Sequence, residues 1–385
     1  MSRKMSEEAI GNDTICLSPT LKFGQAPVET RPAKVRRSAN PLQAGLFATP
    51  TPKQAKLRKP SFSKEDNTPE GLQALLKANR YYREVEWPEP YRRTTHRLHL
   101  GDARDLSWID DRSIHLVVTS PPYWTLKEYA RGNEDQMGHF EDYEHFLNEL
   151  DRVWSECARV LVGGGRICCV VGDICIPRKQ AGRHHLVPLH ADIQVRARRL
   201  GLDCLTPILW HKIANGAMEA QGNGAGFYGK PYQPGGIIKN DIEYILFLRK
   251  GGEYRSAPMI QKALSMLTRE EMQTWQRSLW TDMRGASTRE GHPAPFPVEL
   301  AERLIKMFSF AGDTVLDPFA GTGSTSQAAI LAGRNSIANE IEPVYVDLAL
   351  RRIARTACEP RLVRATTPEV IFDSDAFKER LPAIG

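Results

Sequence analysis

The 385-residue sequence holds no uninterrupted apolar run of eighteen residues, which excludes an ordinary membrane-spanning helix. The start, MSRKMSEEAIGND, has basic residues with no apolar stretch after them, so no secretory signal is expected and the chain is expected to be cytoplasmic. No Gly-Lys-Ser/Thr follows any glycine-rich turn, which disfavours triphosphate binding. The seven cysteines are odd in number and have no CxxC spacing, which argues against a disulfide framework. Cys168, Cys169 and Cys175 stand near His184, His185 and His190, but Cys168 and Cys169 are adjacent. Neighbours on a strand point to opposite faces, so no metal site is expected there.

What is present is unevenly placed. The net charge is +6, yet residues 1–60 carry eleven Lys or Arg against four Asp or Glu, leaving the remainder at −1. Residues 1–64, rich in Pro, Ser, Thr, Lys and Arg, read as a disordered basic tail. It is either a solvated arm or a source of non-specific attraction to phosphates. Folded sequence is expected over 65–360, with 361–385 as a C-terminal extension.

Within 65–360, strand-like and helix-like segments alternate. A leading helix is expected over Pro69–Arg80, with Leu72, Leu75 and Leu76 on one face. Strands are expected at Ser113–Thr119, Gly165–Val171, Cys204–His211, Ile242–Leu248, Thr314–Asp317 and Asn335–Glu340. Helices are expected at Tyr143–Leu161, Leu189–Leu200, Val298–Phe308, Ser324–Ala332 and Pro343–Ala354. The order predicts an α/β fold, a doubly wound, mostly parallel Rossmann-like sheet with an antiparallel strand at its edge. Two irregular stretches interrupt it, Ala214–Pro234 and Pro258–Gly291.

Two motifs carry the chemistry. Thr119-Ser120-Pro121-Pro122-Tyr123-Trp124 follows the apolar strand SIHLVV, and ligands in open α/β sheets bind beyond the carboxyl ends of strands. Ser120 Oγ and the Pro121 carbonyl can accept hydrogen bonds from a conjugated amine and favour a tetrahedral nitrogen, and Tyr123 offers a flat face for stacking. A rigid Ser-Pro-Pro loop is the plainer reading of the same residues. The second motif, Asp317-Pro318-Phe319-Ala320-Gly321-Thr322-Gly323-Ser324-Thr325, joins a strand to a helix through a turn where glycines allow close approach to a cofactor. Seventeen residues after Gly323, at the end of the next strand, Glu340 matches the acid that accepts from a ribose diol.

Together these motifs resemble the DNA amino-methyltransferases, in the order of the circularly permuted beta class and most like its cytosine-N4-specific enzymes. The resemblance runs from about His99 to Ala354. It includes Leu100-Gly101-Asp102-Ala103, Arg159–Arg166, His292-Pro293-Ala294-Pro295-Phe296-Pro297 and Gly333-Arg334-Asn335. It implies S-adenosyl-L-methionine as cofactor, contacted by Asp102, His292, Phe296, Asp317, Phe319, Gly321, Gly323, Ser324 and Glu340. It implies catalysis by Ser120, Pro121, Pro122 and Tyr123, with Tyr123 and Trp124 stacking on a flipped base. The catalytic half then spans about 95–212, target-recognition insertions about 213–291 and the cofactor half about 292–357.

The implied substrate is double-stranded DNA, with a cognate restriction endonuclease as possible companion and a nucleoid location in a bacterium. Ser at position 120 resembles the cytosine-N4 enzymes, whereas adenine-N6 enzymes mostly carry Asp; adenine stays the alternative. A non-catalytic DNA-binding protein is the rival of another class. Cytosine C5 chemistry is disfavoured, because no cysteine follows a proline. Lys212, Lys230, Lys239, Arg284 and Arg289 are the candidate DNA contacts, alongside Arg269 and Arg277. Trp210 reads equally as a stacking residue or a core aromatic, and Arg198 and Arg199 as a solvated face or a contact.

Overall fold

Apolar strands that alternate with amphipathic helices have one economical solution: a central sheet with helices on both faces. The computed structural model describes residues 59–62, 66–124, 140, 142–212, 227–228, 237–238, 240–285, 296–358 and 366–372. The basic tail up to residue 58, Lys230, Lys239, Arg289, His292 and most of 361–385 lie outside the described residues. The first half contains α1 (Pro69–Tyr82), β1 (Arg93–Leu100), β2 (Ile114–Thr119), α2 (Tyr143–Val160), β3 (Leu161–Val171), β4 (Ile174–Ile176), α3 (Arg178–Ala181), β5 (His185–Val187), α4 (Leu189–Arg199) and β6 (Leu202–His211). The second contains β7 (Phe227–Tyr228), β8 (Ile237–Ile238), β9 (Ile242–Lys250), α5 (Met259–Ser265), α6 (Arg269–Trp275), β10 (Leu279–Trp280), α7 (Val298–Phe308), β11 (Thr314–Asp317), α8 (Ser324–Ala332), β12 (Asn335–Glu340), α9 (Pro343–Ala357) and β13 (Thr367–Phe372).

Nine strands form one sheet in the order β10-β6-β9-β3-β2-β11-β12-β1-β13. All neighbours run parallel except β9, which is antiparallel to both β3 and β6. This is the antiparallel strand expected towards one edge; β6 and the two-residue β10 lie outside it. One face is covered by α2 and α4, whose Phe146, Trp154 and Ile193 pack with Val117, Cys169 and Leu246. The other is covered by α7 and α8, whose Leu300, Leu304 and Ala328 pack with Val118, Cys168 and Phe247. Cys168 and Cys169 therefore do enter opposite cores.

The connection from β2 to β3 through α2 and that from β11 to β12 through α8 leave on opposite faces. Adjacent β2 and β11 thus flank the topological switch point, the crevice where such sheets bind ligands.

Several features depart from the sequence expectation. The strand expected from Gly165 begins at Leu161, directly after α2. The register against β2 jumps from Ile114–Leu161 to Leu116–Arg166, so the extra residues bulge, with Gly164 at φ +72°. The stretch Pro258–Gly291 contains α5 and α6; Ala263 and Leu264 of α5 pack against Leu75, Ala78 and Tyr82 of α1, and Asn79 Nδ2 donates to the Ala263 carbonyl at 2.8 Å. Beyond the cofactor half, β13 joins the sheet beside β1. Among the described residues no helix is long and apolar enough to cross a membrane.

Candidate active site

The two motifs emerge side by side at the switch point, and a buried carboxylate ties them together. Asp317, 1% exposed, ends β11; its Oδ1 accepts from Thr119 Oγ1 at 2.7 Å and from the Phe319 amide at 3.1 Å, and its Oδ2 from Thr325 Oγ1 at 2.6 Å. Burial pushes its carboxyl up to about 6, against these hydrogen bonds, which favour the charged form. Asp317, expected at the cofactor, is thus bonded within the protein, and the residues that hold it, Thr119 and Thr325, are ones the motif reading passed over.

From that anchor the chain turns out through the catalytic motif. Ser120 and Pro122 are half-buried, Pro121 is buried, and Tyr123 is 7% exposed, packed into the core that α2 covers. Trp124 has φ +41°, a left-handed backbone that costs a non-glycine residue about 1–3 kcal/mol. Opposing that cost, its Nε1 donates to the Phe140 carbonyl at 2.6 Å and its ring leans on Tyr143, with centroids 5.1 Å apart. The strand end therefore points its residues by tertiary contacts as well as by proline stiffness.

On the other side of the crevice the turn after β11 is closely cross-braced. Gly321 and Gly323 have φ of +51° and +80°, and a Cβ at Gly323 would lie 3.1 Å from Ala349 Cβ, so only glycine suits that close helix packing. Glu340, 8% exposed, accepts from the Gly321 amide through Oε2 at 2.7 Å and from the Glu342 amide through Oε1 at 3.0 Å. Burial raises its carboxyl to about 7 despite both amides. Each oxygen keeps a further lone pair, so the carboxylate can still accept two hydroxyls of a ribose diol. Asn339 Nδ2 donates to the carbonyls of Gly101 and Pro318, at 3.0 and 3.3 Å, and fastens the turn after β1 to the same crevice.

The N6/N4 methyltransferase family model, described as DNA methylase, matches residues 114–351, from β2 into α9. The chain belongs to the N6/N4 DNA methylase family. Among relatives, it is 36% identical over 274 residues to the type II methyltransferase M.MjaI of Methanocaldococcus jannaschii, covering 65% of this chain and 88% of that one. It is 26% identical over 264 residues to the DNA adenine methyltransferase YhdJ of Escherichia coli, covering 66% and 81%. The crystal structure of a Thermus thermophilus protein named as a DNA modification methylase, complexed with S-adenosyl-L-methionine, shares 48% identity with a TM-score of 0.58, covering 72% of this chain and 98% of that one.

Within this DNA methylase, several of the expected residues also hold contacts inside the protein. Asp102 accepts at both oxygens from Arg104, whose Nε lies 3.0 and 2.9 Å away and which also reaches Glu149. Its carboxylate orders the loop after β1. Ser324 Oγ, 7% exposed, receives Arg352 at 2.9 Å, and Thr322 Oγ1 receives it at 3.1 Å. Phe319 is half-buried, its ring at right angles to that of Trp154 with centroids 6.5 Å apart, and Phe296 packs against the core under α7. Trp210 is a core aromatic, fully buried, its Nε1 donating to the Met283 carbonyl at 3.0 Å. Arg284 is exposed next to that carbonyl, whereas Lys212 is paired with Glu243 and lies 5.0 Å from the Trp210 ring. Arg352 had no sequence signal beyond its place on the helix that follows Glu340.

Proposed function

We propose that this chain transfers the methyl group of S-adenosylmethionine to the exocyclic N4 of a cytosine flipped out of duplex DNA, as a circularly permuted, beta-class enzyme. The observation that carries the reading is the Thr119–Asp317–Thr325 clamp, which joins the Ser120–Tyr123 strand end to the glycine turn beside Glu340. When bound, S-adenosylmethionine supplies a methyl group already activated by the sulfonium charge. Gly321, Gly323 and Glu340 would form its cradle, with Phe319, Phe296 and the loop of Asp102 beside them, and the sequence motif assigns His292 to the same ligand. Ser120 Oγ and the Pro121 carbonyl accept the two N–H groups of the amine and aim its lone pair, Pro122 fixes the turn, and Tyr123 with Trp124 stacks on the base. After transfer the amine loses its proton to solvent, so a neutral serine suffices.

The deciding experiment is digestion of DNA methylated by the purified protein, with mass spectrometry of the nucleosides. N4-methylcytosine is expected; N6-methyladenine in its place overturns the assignment. Serine at position 120 supports cytosine, and the relation to YhdJ favours adenine as the second reading. We further assign target recognition to 213–291, with Lys230, Lys239, Arg284 and Arg289 as DNA contacts. The kinship with a type II methyltransferase supports a companion endonuclease acting on the same sequence.

A further inference from the structure

Beside the catalytic strand end, at the same edge of the sheet, lies an ion pair that the transfer step does not use. Because β9 runs antiparallel, its first residues meet the carboxyl ends of β3 and β6: Tyr244 pairs with Val171 and Glu243 with Trp210. Gly172, at the tip of β3, separates Glu243 from Tyr123. A Cβ there would lie 3.2 Å from Glu243 Cγ, 3.4 Å from Tyr123 Cε1 and 3.7 Å from Glu243 Oε1. The stacking ring and the carboxylate therefore pack against the same small residue. Glu243 Oε1 binds the ammonium of Lys212, with the two side chains 13% and 29% exposed, and among the described residues Glu243 Oε2 has no hydrogen-bond donor. A half-buried charge pair of this kind is a weak source of stability, since desolvation consumes most of the Coulombic gain.

We infer that Glu243 and Lys212 form the recognition wall of the target-base pocket. In this arrangement Lys212 donates to the unprotonated ring nitrogen, and Glu243 Oε2 accepts one N–H of the exocyclic amine as the base enters, an N–H that passes to Ser120 Oγ for the transfer. This inference rests on the proposed transfer to a flipped base. A carboxylate acceptor beside an ammonium donor complements the amine-and-ring-nitrogen edge that cytosine and adenine share. It opposes the carbonyl and ring N–H that thymine and guanine present there. The pair thus selects the class of base, and Ser120 acts on the amine after selection.

The test uses the full-length protein, labelled S-adenosylmethionine and unmethylated bacterial genomic DNA of mixed sequence. For Lys212→Met and Glu243→Gln, kcat/KM for DNA is expected to fall about 100-fold, the loss of one or two directed contacts to a base edge, with cofactor affinity within about twofold by calorimetry. The double variant Lys212→Met/Glu243→Leu separates recognition from structure. A buried ion pair replaced by apolar residues keeps or gains stability, so a merely structural pair would regain activity in the double variant, whereas a recognition pair stays impaired. Recovery in the double variant, or single variants with wild-type kcat/KM, overturns the inference while leaving amine methylation standing. A wild-type protein that transfers no methyl group to any DNA overturns both.

Discussion

After β11 the chain passes through Asp317, Gly321 and Ser324 with their polar groups bonded to Thr119, Thr325, Glu340 and Arg352, whereas after β2 it leaves through Ser120–Trp124, where the packing of Tyr123 and Trp124 provides most of the order. The first region is braced by hydrogen bonds among the chain's own groups. The second holds its ring and its proline turn in place but has Ser120 only half-buried at the crevice. This contrast suits the two proposed ligands. A cofactor of constant shape is met by a rigid cradle, while a base that must leave a helix stack at a cost of a few kcal/mol meets a short, stiff platform.

The contrast breaks first at the platform. Ser120→Ala and Tyr123→Ala are each expected to lower kcat by about 10²–10³-fold, the range for losing a positioned group in the transfer step. Cofactor affinity by calorimetry should stay within about twofold. A Ser120→Ala protein with full activity would remove the distinction between the two strand ends.

A smaller effect is expected at the clamp. The double substitution Thr119→Val/Thr325→Val removes both hydroxyl donors from buried Asp317 and should lower unfolding free energy by about 3 kcal/mol in a denaturant titration. Introducing Asp317→Asn on that background should recover part of the loss, because no buried charge remains. If the double substitution is silent, the two motifs are not coupled through Asp317.

The cradle should show its own pH dependence. Glu340 has a carboxyl raised from the ordinary 4.5 to about 7, so a diol-accepting charge is present only above that pH. Cofactor affinity is expected to strengthen as pH rises through about 7 and to weaken by about tenfold for each unit below it. The contribution of the same group to unliganded stability has the opposite sign: it is full below 4.5 and is lost as pH rises through about 7. Glu340→Gln should flatten both profiles and weaken binding at high pH, and a Glu340→Gln protein with wild-type affinity above about pH 8 would show that Glu340 does not contact the ligand. The smallest effect is expected from Arg352→Ala, which releases Thr322 and Ser324 and should cost about 1 kcal/mol of stability with little change in rate at saturating cofactor.

Much of this was legible from the sequence because the strands around the switch point have apolar centres, LVV in β2, VL in β11 and IA in β12, and the turns after them are chemically distinctive. β11, α8, β12 and the strand before Ser120 follow that pattern directly. Other parts were not, for identifiable reasons. In β1, RTTHRLHL is too polar to read as an inner strand, yet Thr94 and His96 are buried; His96 Nε2 and Nδ1 meet Thr94 and Ser336 at 3.0 and 2.9 Å, and burial holds the imidazole down to about 3. Helices α5 and α6, seven residues each, are too short for a 3.6-residue period to emerge, and the Thr268–Glu271 capping box was the available signal. Asp317 and Asp102 carried acidic motif positions whose partners, Thr119 and Arg104, are fixed by tertiary geometry for the first and by a two-residue turn for the second.

The terminal strand β13 has a different consequence. Without it, the hydrogen-bonding groups along one side of β1 would lie open, and a sheet with a long unpaired margin is a template for association with other chains. β13 replaces that margin with TPEVIF, in which Pro368 lacks a donor and exposed Glu369 places a charge at the new border. The last described residues therefore act as a selvedge, the finished border that keeps a woven fabric from unravelling. Light scattering should detect self-association after removal of residues 366–385, and a chain that stays monodisperse would deny the strand that office.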